Sequence, residues 1–501
     1  MRHISRRDFL KTGALAAGLT IVPNSVLGKT HGFTSPSDKL NIAGVGVGGM
    51  GRGNLRNMST ENIVALCDVD WRYAEKTFND YPKAKKFKDW RVMFDEFGKS
   101  IDAILVATPD HAGVTAHAIT LGKHCYTQKP LTHSVYESRL LAKLAKKYKV
   151  ATQMGNQGNS FDWCRQITEW IQSGVIGEVY EVHCWTDRPI WPQGLMQPSD
   201  NLKCPKTLDW DLFIGPAQKR PYNPVYTPWN WRGWWDFGTG ALGDMACHIM
   251  DPLYWALDLK YPISVIGSST LSNLYSPPHA QVVTYTFPAR PPKGNTKMPE
   301  VKVYWYDGGL MPPRPEELKD GQMMGDENGG IIFIGTKGKI MTGCYGMNPT
   351  LLPVSDMEHF NQPKPSIPRV KGGNGNIWAT NAHEQDWIRA CKESPENRVE
   401  SSSNFQFSGP FNEMVVMGVL AVRLSGLHGL HRELLWDGEN MKFTNISPTD
   451  TIKIVTVDDF KVVDGDPRFD RRFADFNALD VANEWIKHTY NNGFSLPSMP
   501  F

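Results

Sequence analysis

Apolar and polar positions along residues 39–155 alternate between two kinds of block. Short apolar runs that end in glycine, proline or polar residues predict strands at 39–47, 63–67, 103–107, 124–127 and 151–154. The intervening segments have helical spacing and predict helices at 50–58, 71–81, 114–121 and 135–148. Strands that alternate with helices of this length are typical of parallel β-α-β units, so residues 39–155 are predicted to form an α/β domain with a doubly wound sheet.

The pattern changes after residue 155. Longer strand-like runs are predicted at 179–185, 264–268, 281–287, 301–306, 330–335 and 339–342, with helices at 164–172, 380–393 and 411–426 and with loops at 288–296, 307–330 and 361–375. This spacing favours an open, mostly antiparallel sheet. We expect an α+β domain for substrate binding and oligomerisation at 156–445, and a charged C-terminal extension at 446–501 whose structure the pattern does not define.

The first 28 residues differ in composition from the rest of the chain. Ser5-Arg6-Arg7-Asp8-Phe9-Leu10-Lys11 precedes an apolar stretch at 12–22 and resembles a twin-arginine export signal. That stretch is shorter than the ~20 residues that cross a bilayer, so we expect no stable membrane span. The resemblance implies export of the folded protein to the periplasm.

Charge and cysteine content narrow the function classes. The chain has 54 basic and 52 acidic residues and therefore a formal net charge of +2. Residues 1–28 have a net charge of +3, so the remaining residues together have a net charge of −1. A nearly neutral body argues against nucleic-acid binding. The eight cysteines show no spacing of a zinc site, so no metal is expected.

A glycine-rich turn follows the first predicted strand. Gly46, Gly48, Gly49, Met50 and Gly51 fit Gly-x-Gly-x-x-Gly at the start of a helix, where backbone N–H groups bind a pyrophosphate. A second register, through Gly44, also satisfies the spacing. Asp68 ends the next strand, where an acid accepts hydrogen bonds from the adenosine ribose and favours NAD over NADP. Because the basic residue Arg72 lies only four positions after Asp68, the sequence does not exclude NADP as the cofactor.

Three further motifs resemble the successive signatures of the glucose-fructose oxidoreductase/inositol dehydrogenase (Gfo/Idh/MocA) family. They are Ala107-Thr108-Pro109-Asp110-His111, Gln128-Lys129-Pro130 and Asp244-x-x-x-His248. The resemblance covers residues 39 to about 430 and implies an N-terminal Rossmann domain. It also implies cofactor contacts from Thr108, Pro109, His111 and Lys129, and a catalytic trio of Lys129, Asp244 and His248. The family usually has glutamate where this chain has Gln128.

The residues themselves support the same trio. Asp244 and His248 are four positions apart and share one face of a helix. Oxidation of a carbinol needs a base for the hydroxyl proton; we assign His248 to that role and Lys129 to polarising the oxygen, and the reverse assignment stays open. The tryptophan-rich segment just before it offers Trp231, Arg232, Trp235 and Asp236 as sugar-binding candidates, although four tryptophans also make good core.

These observations predict an NAD(P)-dependent oxidoreductase that acts on a carbinol of a sugar or glycoside. Because free cofactor is not expected in the periplasm, we expect the dinucleotide to be tightly bound. One alternative is an NAD-dependent glycoside hydrolase that oxidises, eliminates and re-reduces its substrate. A less favoured alternative is a non-catalytic sugar-binding protein. An open sheet with one uncovered face predicts a homo-oligomer.

Overall fold

The computed structural model describes residues 38–377, 379–425 and 433–501, so the predicted export signal at 1–28 lies outside the described residues. The first domain has a six-stranded parallel sheet in the order β3-β2-β1-β4-β5-β6. Its strands are β1 (Asn41–Val45), β2 (Asn62–Cys67), β3 (Lys85–Phe87), β4 (Ala103–Val106), β5 (His124–Thr127) and β6 (Thr152–Met154). The predicted doubly wound sheet is confirmed.

Five helices connect these strands. They are α1 (Met50–Asn57), α2 (Trp71–Asp80), α3 (Trp90–Phe97), α4 (Ala112–Thr120) and α5 (Val135–Tyr148). Side chains fix where two of them begin: Asp70 accepts hydrogen bonds from the first backbone N–H groups of α2, and Ser134 and Glu137 form a capping box on α5. These caps satisfy backbone N–H groups in the first turn of each helix and so fix where the helix begins.

The second domain contains a nine-stranded sheet in the order β15-β14-β13-β7-β12-β9-β8-β16-β17. Its strands are β7 (Val179–Thr186), β8 (Ser264–Ser269), β9 (Gln281–Phe287), β12 (Val301–Asp307), β13 (Gly329–Gly335), β14 (Lys339–Gly343), β15 (Thr350–Leu352), β16 (Leu434–Asp437) and β17 (Lys442–Phe443). Among the described pairs of this sheet, only β7 with β12 is parallel, which confirms the predicted mostly antiparallel arrangement.

Helices cover one face of this sheet and link it to the first domain. They are α6 (Asp162–Gln172), α7 (Trp210–Ile214), α8 (Gly240–Ile249), α9 (Asp251–Ala256), α10 (Ala382–Cys391) and α11 (Phe405–Ser425). Helix α8 is buried along its whole length. Helix α10 returns to the first domain, where Trp387 and Ile388 join a core cluster with Ile42 and Leu55. None of the described helices is long and apolar enough to span a bilayer.

Two segments differ from the predicted pattern. Residues 288–296, predicted as a loop, contain β10 (Arg290–Lys293), which pairs with β11 (Thr296–Met298). Pro291 and Pro292 are tolerated because this ribbon has no third strand that would need their missing N–H groups. The C-terminal region forms a long hairpin, β18 (Thr451–Val463) with β19 (Asp466–Asn477), and then α12 (Ala478–Lys487).

Candidate active site

A cleft of about 1240 Å³, open to solvent, runs along the carboxyl ends of β1, β2 and β4. This is the edge at which doubly wound sheets bind their ligands. The Rossmann residues that line the cleft form what we call the floor, and they are Val45, Gly46, Gly48, Gly49, Met50, Cys67, Asp68, Val69, Asp70, Tyr73, Lys88, Trp90, Ala107, Thr108, Pro109, Asp110, Gly113 and Val114. The remaining lining residues, which we call the roof, are 212–216, 227–229, 231–232, 236–237 and Phe494.

The glycine loop has the backbone that its motif predicts. Gly46 has φ +77°, and a Cβ on it would lie 2.6 Å from the backbone of Ala107 on the neighbouring strand. A Cβ on Gly51 would lie 2.1 Å from the carbonyl oxygen of Gly46, so this glycine permits close packing inside the turn and does not line the cleft. The loop therefore needs glycine at both positions for steric reasons.

Asp68 lies at the end of β2 and is buried. Its Oδ2 accepts hydrogen bonds from the backbone N–H groups of Val47 (2.8 Å) and Gly48 (3.1 Å), so it is fixed against the glycine loop. Burial raises the pKa of Asp68 to about 6, although these N–H donors oppose the shift. A glycine loop, a helix N-terminus without acidic residues and a carboxylate at this position fit a dinucleotide.

Lys129, Asp244 and His248 come together where β5 meets α8. Lys129 Nζ lies 2.9 Å from Asp244 Oδ1 and donates a hydrogen bond to the backbone oxygen of the same residue at 3.0 Å. The sequence brings Lys129 here because it follows β5, and it brings Asp244 here because Gly240 (φ +66°) turns the chain into α8. The predicted trio therefore shares one site.

The charges of the trio follow from its surroundings. Burial favours a neutral Asp244, but Lys129 and Arg232 outweigh it and lower the pKa of Asp244 to about 2. Burial and the nearby Lys129 hold the pKa of His248 well below its usual value, so its imidazole is neutral at physiological pH. Nδ1 of His248 is buried and has no hydrogen-bond partner among the described residues. A neutral imidazole beside a lysine–carboxylate pair is suited to accept a proton.

Gln128, the departure from the family pattern, belongs to a buried network. Its Nε2 donates to Asn54 Oδ1 at 2.8 Å, and Asn54 Nδ2 donates to Glu384 Oε1 at 2.7 Å. The carboxylate that pairs with Lys129 in this chain is Asp244, on the other domain.

The predicted substrate residues divide into two groups. Trp231, Arg232 and Asp236 line the cleft. The Arg232 guanidinium lies between the rings of Trp229 (4.1 Å) and Trp231 (4.5 Å), and its Nε donates to Asp244 Oδ1 at 3.0 Å. Trp235, in contrast, is buried in the core, where its Nε1 donates to the backbone oxygen of Asn273, because the chain turns inward before α8.

Thr108 and Pro109 line the cleft as predicted, whereas His111 is buried below it, and the backbone of Pro130 accepts a hydrogen bond from its ring. Burial lowers the pKa of His111 to about 3. No sequence motif pointed to Tyr345, whose ring centroid lies 4.6 Å from that of His248. Its φ of +64° is unusual for an aromatic residue, but such a value has no sequence signature.

Comparisons with known proteins agree with this geometry. Residues 40–156 match the model of the oxidoreductase family, NAD-binding Rossmann fold, and residues 165–273 match its C-terminal alpha/beta domain. The first domain is thus an NAD-binding Rossmann domain. Both matched segments, which include the glycine loop, Lys129, Asp244 and His248, are thus similar to the Gfo/Idh/MocA family of oxidoreductases.

Among curated relatives, the rhizopine catabolism protein MocA of Rhizobium meliloti is 28% identical over 149 residues, which are 29% of this chain and 47% of that protein. An uncharacterized oxidoreductase of Streptococcus pneumoniae is 31% identical over 105 residues, 21% of this chain and 28% of its own. The chain therefore aligns with less than half the length of either relative.

Solved structures share the fold over a larger part of the chain. The WlbA dehydrogenase of Bordetella pertussis, crystallised with NADH and UDP-GlcNAcA, superimposes with a TM-score of 0.52 at 16% identity, over 80% of this chain and 99% of WlbA. An NAD-binding oxidoreductase of Klebsiella pneumoniae gives 0.52 at 18% identity, over 79% of this chain and 99% of its own.

Proposed function

We propose that the protein is an NAD(P)-dependent oxidoreductase that acts on a carbinol of a sugar or glycoside and keeps its dinucleotide tightly bound. The observation that carries this proposal is the pairing of Lys129 with Asp244 at 2.9 Å beside the neutral imidazole of His248, next to a dinucleotide cleft. Hydride transfer from an alcohol requires this combination of a base and a cation. A sugar is supported by the indoles of Trp229 and Trp231 on the roof.

Each residue of the site has its own role in the proposed reaction. His248 takes the proton of the substrate hydroxyl, because its imidazole is neutral and lies beside the Lys129–Asp244 pair. Lys129, which Asp244 holds in place, stabilises the negative charge that develops on the oxygen. A bound nicotinamide ring supplies the acceptor for the hydride that leaves the carbinol carbon. The neutral imidazole of His248 and the pairing of Lys129 with Asp244 favour His248 as the base and Lys129 as the electrophile.

The test begins with the dialysed mature protein, from which bound dinucleotide is released by denaturation and quantified. Sugars and glycosides are then mixed with the loaded protein, and reduction of its cofactor is followed by absorbance. We expect Lys129→Ala to slow this reduction by about 10³-fold and the exposed Lys143→Ala on α5 to leave it unchanged. Equal non-zero rates in Lys129→Ala and the parent would contradict the role of Lys129, whereas a parent whose cofactor no sugar or glycoside reduces would favour a non-catalytic sugar-binding protein.

Tyr345 favours a second candidate, the glycoside hydrolase that oxidises, eliminates and re-reduces. Elimination needs one group to accept a carbon-bound proton and another to return a proton to the departing aglycone. Burial raises the pKa of Tyr345, so its phenol stays protonated at neutral pH, and its ring centroid lies 4.6 Å from that of His248, with the two rings tilted by 54°. Its left-handed backbone, which costs about 1–3 kcal/mol, is the kind of strain found at functional sites. Aglycone release from an aryl glycoside without net cofactor reduction distinguishes this candidate.

We further propose that the protein is exported to the periplasm and forms a homo-oligomer. Export is supported by Ser5–Lys11 with its paired arginines, and oligomerisation by the open nine-stranded sheet. Cell fractionation and light scattering of the purified protein test the two proposals separately.

A further inference from the structure

Two segments outside the Rossmann domain contribute residues 212–216 and Phe494 to the roof of the cleft. The first is the loop that leads into α7. Its Asp209 N–H donates to the backbone oxygen of Val69 at 2.9 Å, and its Thr207 oxygen accepts from the Trp71 N–H at 3.1 Å. These bonds fasten the loop to the chain just after Asp68. Residues 212–216 then line the cleft opposite that carboxylate.

The second segment is the tail, residues 488–494, which follows α12. It is tied to the first segment by side chains and backbone alike. Asn491 donates to the oxygen of Pro216 from its backbone N–H at 3.0 Å and from Nδ2 at 2.9 Å. Asn492 Nδ2 donates to the oxygens of Gly215 and Ala217, both at 2.8 Å. The tail therefore fixes the roof from its outer side.

The same tail is also fastened to the Rossmann domain. Tyr490 Oη donates to Oε1 of the buried Glu137 on α5 at 2.7 Å. The guanidinium of Arg91 on α3 lies 4.4 Å from the ring centroid of Phe494, and that ring lines the cleft. The tail thus bridges the floor and the roof, and Phe494 is its point of contact with the interior of the cleft.

The position of these contacts identifies the part of the ligand that they face. Asp68 and Val69 follow β2, Lys88 and Trp90 follow β3, and all four line the cleft. In a Rossmann domain the acid after the second strand takes the adenosine ribose, so this is the adenosine end. Residues 212–216 and Phe494 lie at that end, whereas Lys129, Asp244 and His248 lie where β5 meets α8.

We propose that residues 212–216 and Phe494 form an adenosine-binding wall and that the tail retains the dinucleotide by holding this wall closed. The inference rests on the proposed function, because it presupposes that the cleft holds a dinucleotide. It deepens that function by assigning retention to residues of the second domain and the C terminus. The ligand must leave past Phe494 or wait until the tail detaches from Pro216 and Glu137.

The experiment measures how fast the cofactor leaves. Full-length mature protein is loaded with labelled NAD⁺ and diluted into excess unlabelled NAD⁺, and the retained label is followed with time. The readout does not depend on turnover. Phe494→Ala is compared with the parent and with Phe501→Ala, a matched control because the Phe501 ring is fully exposed and does not line the cleft. Circular dichroism and thermal unfolding verify that each variant is folded.

We expect Phe494→Ala to release NAD⁺ at least on the order of tenfold faster than the parent, and Phe501→Ala to release it at the parental rate. Asn492→Ala, which removes two of the four hydrogen bonds described above between the tail and residues 215–217 without changing the interior of the cleft, should also accelerate release, by less than Phe494→Ala. Parental rates in both Phe494→Ala and Asn492→Ala would overturn the proposal. Rapid release from the parent would overturn retention while leaving the oxidoreductase proposal in place. Failure of the parent to bind NAD⁺ or NADP⁺ at all would overturn both.

Discussion

The floor and the roof of the cleft differ in how their residues are held. The floor is built from segments next to each other in the sheet, and its shape depends on backbone: Gly46 turns the loop against Ala107, and Asp68 is fixed by N–H groups of the same loop. The roof is built from segments far apart in the chain. Its shape depends on side chains, such as Asn492 on Gly215 and Arg91 on Phe494.

This difference between the floor and the roof predicts that substitutions in the two regions have different effects. A floor made of backbone tolerates few substitutions, because every change acts on the loop that would hold the pyrophosphate. A roof made of side-chain contacts can open without disturbing the sheet, because each contact contributes only about 1 kcal/mol net. We therefore expect substitutions in the floor to affect folding and binding together, and substitutions in the roof to affect mainly the rate of ligand exchange.

The largest predicted difference is between alanine substitutions at two glycines with positive φ, one in the floor and one in the roof. Gly46 (φ +77°) would place a Cβ 2.6 Å from the backbone of Ala107, whereas Gly215 (φ +56°) would place it no closer than 3.9 Å to any atom. Gly46→Ala should cost about 3 kcal/mol of unfolding free energy and abolish NAD⁺ binding, because it combines overpacking with backbone strain. Gly215→Ala should cost about 1 kcal/mol, from strain alone. Urea unfolding and calorimetric titration measure both, and equal losses would contradict the distinction.

The second prediction concerns the pH dependence of the floor. Burial raises the folded-state pKa of Asp68 to about 6, above its ordinary value of 3.8. A carboxyl group with a raised pKa stabilises the folded state when protonated, so its contribution is present below about pH 4 and is lost as the pH rises through 6. The amide in Asp68→Asn does not ionise, so the variant does not lose this contribution to folding stability as the pH rises. The stability of the variant relative to the parent should therefore increase by about 2 kcal/mol between pH 4 and pH 7 in dinucleotide-free protein.

The control for this prediction is a carboxyl group whose pKa is shifted in the opposite direction. The pKa of Asp80 is lowered by its hydrogen bond and ion pair with Arg52, so the folded state is stabilised when Asp80 is ionised. Because this lowered pKa lies below 3.8, most of the contribution of Asp80 is gained below pH 4, so the stability of Asp80→Asn relative to the parent should change little between pH 4 and pH 7 and should not increase. Urea unfolding at both pH values measures the two variants. Parallel changes in Asp68→Asn and Asp80→Asn would show that the burial of Asp68 does not control the trend.

The same division explains what the sequence could predict. Apart from β3 and α3, which were not predicted, the strands and helices of the Rossmann domain were predicted to within about two residues, because most apolar runs are bounded by glycine, proline or a capping residue. The motif also located Gly46, Asp68 and Lys129, and the four-residue spacing placed Asp244 and His248 on one helix. In these cases a local pattern is enough to position the side chain.

The strands and side-chain positions that the sequence did not predict lack such a local pattern. Strand β3 has only three residues, two of them lysines, and becomes a strand through its pairing with β2. The β18–β19 hairpin is charged, with exposed Phe460 and Phe469, so its alternation is weak. Phe494 reaches the cleft through contacts with residues hundreds of positions away, which no local periodicity encodes. The inward turn that buries Trp235 is likewise a tertiary effect.

The last and smallest predicted effect tests whether a roof residue, Arg232, also influences the ionisation of Asp244 and its pairing with Lys129. Arg232 belongs to the roof, yet its Nε donates to Asp244 Oδ1 at 3.0 Å, the atom that also pairs with Lys129. Both cations lower the pKa of Asp244 to about 2, against the effect of burial, and keep it ionised so that it holds Lys129. Arg232→Met removes one cation and leaves the other. The pKa of Asp244 should then rise by on the order of one unit, with little loss of turnover at pH 8.

The measurement is the rate of cofactor reduction between pH 3 and pH 8, with Arg232→Lys as the variant that keeps the charge. Because the pKa of Asp244 is about 2, the parent and Arg232→Lys should show little loss of rate from this group down to pH 3, whereas Arg232→Met should begin to lose rate as the pH approaches 3. Coincident pH profiles in all three proteins would mean that Lys129 alone sets the charge of Asp244. The roof would then act only by covering the cleft, and Arg232 would be left with a role in contacting substrate between Trp229 and Trp231.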